Sequence, residues 1–391
     1  MMQSLRKKGY VGRATLMGFL TLGLAGCGVG GPRILSYETN QHADGEIWVF
    51  DTSVRNESPE QGNDERLLDP AYDWSRDPET SLSPYEFIPD RKYRDALFLV
   101  LSNAKQEVLM LQLEFYSDRG DPAKVADRLK SLASSGVTVR VLAEADVDGN
   151  NATIETLKAA GIDARLDNSK ISLHTKLVLV DGRVALVGST NISNASLLYN
   201  HEANYLITEP DAVNAIRQYA LDVLQNENRQ YKIDFIGSGD VLPFSDGQYL
   251  EVVMPYIERA QDKVFLVMYD FNTSVSSAYA LAAKLIEAHK RGADVRVFLE
   301  RSSFDEKLNQ RNKEAMSLLC KGGVPTKLDS TDVTTHAKLM ITEEAVVVYS
   351  GNFNRAGLEE NHELGVVVPY DAVAVSYFEA LFQGGGPPCS L

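Results

Sequence analysis

Cysteine is scarce in this chain: three residues in 391, at Cys27, Cys320 and Cys389. Two cysteines as far apart as Cys320 and Cys389 do not suggest a zinc site. They leave a disulfide open, but the plainer expectation is a buried helical Cys320 and a Cys389 in a loose tail. Basic residues are outnumbered, 39 Lys and Arg against 54 Asp and Glu, for a formal charge of −15. That balance opposes tight nucleic-acid binding, where basic surface supplies most of the affinity, although it leaves room for a local basic cleft. Beyond the N-terminus no apolar run is long enough to cross a bilayer. Histidine is limited to six positions, of which His42 and His289 have no polar constellation around them. What is present is ordinary for a folded protein: 44% hydrophobic residues and length for two domains.

The first residues read as an export signal. "MMQSLRKKGYVGR" is basic, "ATLMGFLTLGLAG" is apolar and small, and Cys27 follows. The apolar stretch is too short for a comfortable membrane span. The quartet Leu24-Ala25-Gly26-Cys27 resembles the lipobox of bacterial lipoproteins. That resemblance implies cleavage after residue 26, lipidation of Cys27 and a membrane tether. Gly28, where Asp would otherwise stand, resembles outer-membrane sorting and implies an anchor facing the periplasm. Residues 1–26 hold four basic residues and no acids, so their removal takes the charge from −15 to −19.

Residues 27–89 are polar and irregular, a tether and N-terminal extension with one strand expected at "EIWVF". From there the sequence repeats itself. "AKQEVLMLQLEF" matches "AQDKVFLVMYDF" and "SGVTVRVLAEA" matches "RGADVRVFLER", both at an offset of 156. "AAGIDARLD" matches "KGGVPTKLD" at an offset of 162. Each copy alternates helices and strands, then gives a hairpin, a strand and a helix, which predicts an α/β domain with a central β-sheet flanked by helices. The expected units are 90–228 and 246–382, with a linker at 229–245 and a flexible tail at 383–391.

The repeat carries chemistry. "HTKLVLVDGRVALVGSTN" begins at His174 and "HAKLMITEEAVVVYSGNFN" at His336. Residues two apart on a strand share a face, so His174 projects with Lys176 and His336 with Lys338. Asp-Gly at Asp181 signals a tight hairpin turn, and Glu343-Glu344 marks the same turn with poorer residues. The return strand delivers Gly188-Ser189-Thr190-Asn191 in one copy. The other delivers Gly351-Asn352-Phe353-Asn354, read with one extra residue in its return strand. Backbone N–H groups and Asn amides in such loops are anion donors. Asn200-His201-Glu202 and Asn361-His362-Glu363 form a further matched pair, with His201 and His362 expected at turns or on the surface. Glu114 and Asp270 end matching strands, either lining a pocket or solvated.

At these residues the chain resembles the phospholipase D superfamily, whose signature is H-x-K-x4-D-x6-G-S-x-N. The first copy matches every position through His174, Lys176, Asp181, Gly188, Ser189 and Asn191. The second is degenerate, with Glu343 for the Asp and Asn352 for the Ser. The resemblance covers nearly all of 90–382 and implies two pseudo-twofold halves sharing one active site, complete in a monomer. It implies that one histidine attacks phosphorus to give a phosphohistidine while the other serves as acid and then base, with His174 expected as nucleophile and His336 as acid. Lys176, Lys338, Ser189, Asn191, Asn352 and Asn354 would bind the phosphoryl oxygens, which leaves no need for a metal or cofactor. Glu202 and Glu363 would hydrogen-bond the active histidines. Asp181 and Glu343 fall at the far turn, where a structural role is expected. The expected activity is metal-independent cleavage of phospholipid head groups, by hydrolysis or by transfer to an alcohol. The alternatives are a secreted endonuclease of the same superfamily and a non-catalytic phosphate-binding lipoprotein.

Overall fold

The computed structural model describes residues 37–41, 47–51, 83–168, 170–235, 237 and 239–389. Residues 1–26, read as an export signal, Cys27 and most of the segment read as a tether lie outside the described residues. A strand does form at Ile47–Asp51 (β2), paired antiparallel with Tyr37–Gln41 (β1).

Two seven-stranded mixed sheets form the body. The first orders β3(Tyr85–Pro89), β9(Ala203–Ile207), β8(Val184–Gly188), β7(Lys176–Val180), β4(Glu107–Gln112), β5(Thr138–Ala143) and β6(Asp163–Leu166). The second orders β10(Leu242–Ser245), β16(Leu364–Pro369), β15(Ala345–Tyr349), β14(Leu339–Thr342), β11(Lys263–Met268), β12(Asp294–Leu299) and β13(Thr326–Leu328). In each sheet three strands run parallel and four antiparallel, in the same order. β7, β8 and β9 are buried at every residue, which is why they read as unbroken apolar runs.

Helices α1(Lys92–Asn103), α2(Gly120–Ser134), α3(Gly149–Ala159) and α4(Asn194–Leu198) cover the outer face of the first sheet. α6(Tyr249–Arg259), α7(Ser276–Arg291) and α8(Glu306–Lys321) cover that of the second. The inner faces meet in one apolar core that takes residues from both sheets, including Leu177, Val187, Tyr205, Leu339, Val348 and Val366. α5(Pro210–Gln225) and α9(Ala372–Gly384) complete it. Because this core is shared, burial fixes one half against the other.

The expected units begin too late. β3 and β10 are edge strands of the two sheets, so the first unit starts by Tyr85 and the second by Leu242. The segment read as a linker also packs inward, with Ile233 buried. Cys389 is no free tail residue: it forms a disulfide with Cys320 on α8. The tail runs along the edge strand β13, with Gly386 N–H donating to Leu328 O and Cys389 N–H to Thr326 O. Backbone pairing at an otherwise open sheet edge is what orders it.

Candidate active site

The two HxK segments meet where the halves join. Ser172–His174 of the first half lies beside His362 of the second, with His362 N–H donating to Ser172 O and His174 N–H to His362 O. The reciprocal contact joins His201 to Thr334 and His336. Each Asn-His-Glu segment is thereby handed across the molecule.

The consequence is a crossed arrangement. Glu363 of the second half holds His174, with Nδ1 3.0 Å from Oε2 and 2.9 Å from Oε1. Glu202 of the first half holds His336 Nδ1 at 3.1 Å from both oxygens. A carboxylate on Nδ1 selects the tautomer with Nδ1–H, leaving the Nε2 lone pair available. Each glutamate is itself fixed: Ser189 Oγ donates to Glu202 at 2.5 Å, and Asn200 Nδ2 at 3.4 Å. Ser350 Oγ donates to Glu363, and Asn361 Nδ2 at 3.1 Å.

Lys176 and Lys338 are each only 1% exposed. Lys176 Nζ donates to His174 O at 2.6 Å and Lys338 Nζ to His336 O at 2.7 Å. The imidazoles are the more open groups, at 15% and 13%. Burial pushes His174 down to about 4, against the pull of Glu363 and with help from Lys176. Burial also lowers His336, opposed by Glu202. Burial takes Lys176 down to about 8, and takes Lys338 down to about 7 with Lys176 adding repulsion. Glu202 and Glu363 stay below the ordinary glutamate value because, against burial, their histidine partners and the lysines favour the carboxylate. Two imidazoles, two buried lysine amines and two orienting carboxylates thus share one cleft. That set can attack, protonate and charge-stabilise a phosphoryl group.

The loops after the hairpins correct the sequence reading. Ser189 pairs with Ala203 as Ser350 pairs with Leu364, and Ile192 N–H reaches Glu114 O as Phe353 N–H reaches Asp270 O. Ser350, not Asn352, therefore corresponds to Ser189, and Asn352 corresponds to Asn191. The second copy lost a residue in its hairpin turn, between Thr342 and Ala345, and gained none in the return strand. Ser189 is not placed to bind phosphate, since its one hydroxyl proton goes to Glu202. Asn354 is not either: its Nδ2 donates to Asp270 at 2.9 Å and its Oδ1 accepts from Gly357 N–H. Asn191 and Asn352 each keep a buried Oδ1 without a hydrogen-bond partner.

Asp181 and Glu343 lie at the far turns. Asp181 accepts the N–H groups of Lys105, Gln106 and Glu107 at 2.7–2.9 Å. Glu343 accepts those of Gln261, Asp262 and Lys263 at 2.6–3.3 Å. The longer side chain keeps the contact where the turn is a residue shorter. Asp270 is buried, paired with Arg311 Nε at 2.8 Å, so it is no solvated strand end. Glu114 bonds Ser193, and burial raises its carboxyl to about 7 despite Lys176. His201 and His362 are interface residues, His362 fully buried.

Sequence reasoning missed Ser350, Asp90 and Asp246, and gave the matched Asn200 and Asn361 no role of their own. Asp90 and Asp246 each accept the backbone N–H of the active-site glutamate, Glu202 or Glu363, at 2.9 Å. The signal was available, because Asp90-x-x-Tyr93 and Asp246-x-x-Tyr249 repeat at the offset of 156.

The sequence model of the family described as "Cardiolipin synthase, PLD-like domain" matches residues 97–223 and 253–384. Human mitochondrial cardiolipin hydrolase is 40% identical over 81 residues, 20% of this chain and 32% of that protein. Cardiolipin synthase of Geobacillus thermodenitrificans is 26% identical over 157 residues, 38% of this chain and 30% of that protein. The matched regions thus span a third or less of these relatives. The fold resembles that of phosphatidylserine synthase from Haemophilus influenzae, with TM-score 0.61 and 14% identity over 78% of this chain and 88% of the other. Polyphosphate kinase of Porphyromonas gingivalis shares it at TM-score 0.56 and 14% identity, over 78% of this chain and 48% of the other. With both halves matched and both HxK segments joined in one cleft, the chain belongs to the phospholipase D-like cardiolipin synthase family.

Proposed function

We propose that this chain is a phosphodiesterase of the phospholipase D type that acts on phospholipids, by hydrolysis or by transfer of the phosphatidyl group to an alcohol. The observation that carries this reading is the crossed cleft: two imidazoles from two halves, each with Nδ1 on a buried glutamate, beside two buried lysines. His174 Nε2 attacks phosphorus and forms a P–N bond as the P–O bond to the leaving group breaks. The leaving oxygen takes its proton from His336, whose imidazolium is favoured once an anionic phosphodiester occupies the cleft. Neutral His336 then accepts a proton from water or an alcohol, whose oxygen attacks phosphorus and breaks the P–N bond. Lys176, Lys338 and the Asn191 and Asn352 amides stabilise the phosphoryl oxygens.

A phospholipid is favoured over nucleic acid by the formal charge of −15 and by the family relatives. The basic–apolar–Cys27 start supports export and lipid anchoring to the outer membrane, facing the periplasm. The Cys320–Cys389 disulfide supports an oxidising compartment. The test is a panel of phospholipids and DNA, with and without an alcohol acceptor, using wild type and His174→Ala. Head-group release or exchange that His174→Ala abolishes is the expected result. No turnover of any phospholipid overturns the reading, and chelator-resistant DNA cleavage would favour the nuclease.

A further inference from the structure

His362 was left without a task by the chemistry above, yet it is buried completely at the junction. Its Nδ1 is 2.8 Å from Asp246 Oδ2 and its Nε2 is 2.8 Å from Glu227 O. Both partners are acceptors only, so both ring nitrogens must donate and the ring is an imidazolium. We propose that His362 is a permanently charged clasp, a positioning residue that holds the His174 half-site in register across the two halves.

Its connections are specific to that half-site. The His362 carbonyl accepts from His174 N–H at 3.1 Å and from Thr175 Oγ1 at 3.0 Å. Its side-chain partner Asp246 receives Glu363 N–H at 2.9 Å, Tyr219 OH at 2.9 Å and Tyr231 N–H at 2.8 Å. One residue thus touches the backbone of the attacking histidine and, through Asp246, the backbone of the glutamate that aims it. The Tyr231 ring stacks over the imidazole at 6.4 Å. Burial opposes the charge, but Asp246 first, then the Glu227 carbonyl and Asp167, hold His362 above the ordinary histidine value.

The equivalent His201 differs. Its Nδ1 meets Asp90 at 3.2 Å, and its side chain is 29% exposed. The His336 half-site is therefore held by a weaker, more solvated pair.

This inference rests on the proposed activity only for its kinetic arm. Ring-nitrogen NMR of the full chain labelled with 15N-histidine should show His362 keeping both ring protons at pH 7.5. A His362 that titrates at or below about 6.5, or is a neutral tautomer at pH 6, overturns the clasp. Assignment by elimination, with single substitutions at the other five histidines, serves if His362→Gln does not fold. In His362→Gln, amide exchange should quicken across residues 172–176, whereas His201→Gln should quicken it across 334–338. Equal responses in both segments would sink the half-site assignment. Turnover of His362→Gln should fall about ten- to a hundredfold in kcat with KM unchanged, as displacement of a reacting group does. A fall in Tm with kcat intact would leave only a structural role and overturn the proposal. If wild type turns over nothing, the proposed activity fails while the NMR and exchange results still decide the clasp.

Discussion

The half-site of His174 has Leu113 and Glu114 at the end of β4, whereas that of His336 has Tyr269 and Asp270 at the same end of β11. The Tyr269 ring meets His336 edge-on at 5.0 Å and lies 5.1 Å from Lys338 Nζ, contacts that Leu113 does not make. Asp270 is neutralised by Arg311, while Glu114 bonds a serine and has its carboxyl raised to about 7. Gly149 stands where α8 has Arg311, and an added Cβ there would meet the Tyr116 ring at 2.3 Å. Behind these differences most of the hydrogen-bonded core is shared: histidine on glutamate, glutamate on serine and asparagine, lysine on the histidine carbonyl, with Lys176 Nζ also 3.2 Å from His174 Nδ1. The duplication has kept the hydrogen-bonded groups around each histidine and changed the side chains at the ends of β4 and β11 beside them.

The sharpest way to break this comparison is to remove each imidazole. His174→Ala and His336→Ala should each lower turnover by about 10⁴-fold or more, because the residues act as one unit. Mapping a trapped phosphohistidine to His174 supports the assignment, and finding it on His336 reverses it. Next come the carboxylates. Glu363→Gln and Glu202→Gln should each cost about a hundredfold or more by losing the tautomer. Ring-nitrogen NMR should show Glu363→Gln disturbing His174 and Glu202→Gln disturbing His336; the uncrossed pattern would refute the pairing.

The pH profile of kcat/KM reports groups of the free enzyme. The acid limb should lie near pH 4, where His174 becomes protonated and loses its lone pair. The alkaline limb should be set first by His336, the acid, which burial holds below the ordinary histidine value, and continue near pH 7, where Lys338 loses its charge. A profile flat from pH 6 to 9 would contradict the lysine assignment. The loops are separable by about tenfold effects. Asn352→Ala should lower kcat/KM with Tm unchanged, whereas Asn354→Ala should cost about 1–3 kcal/mol of stability by stripping a partner from buried Asp270. The reverse outcome would restore the alignment of Asn352 with serine. Smallest for activity is Cys320→Ser, which should cost about 2–4 kcal/mol of stability through the disulfide and leave KM intact.

Much of the architecture was legible because period and repeat are local properties. The apolar runs announced buried strands, and the offsets of 156 and 162 announced two copies. The loop register was not legible. "GSTN" and "SGNFN" align best by eye on the glycine, whereas the fold aligns them on the serine that reaches the glutamate. A one-residue deletion in a turn and an insertion after it look alike in a string; only backbone pairing distinguishes them. The disulfide was open for a similar reason, since two cysteines 69 residues apart say nothing of where the tail lies until the β13 edge captures it.

The sequence by itself determined the α/β class, the duplication, and the identity of the histidines, lysines and glutamates of the cleft, because residue type and spacing are written in it. The tertiary structure alone decided that Glu202 serves His336, that Glu363 serves His174, and that His362 is buried between two acceptors. These contacts join residues 134, 189 and 116 positions apart in their pairs. They exist because two apolar sheet faces bury each other and bring the ends of the two halves to one place.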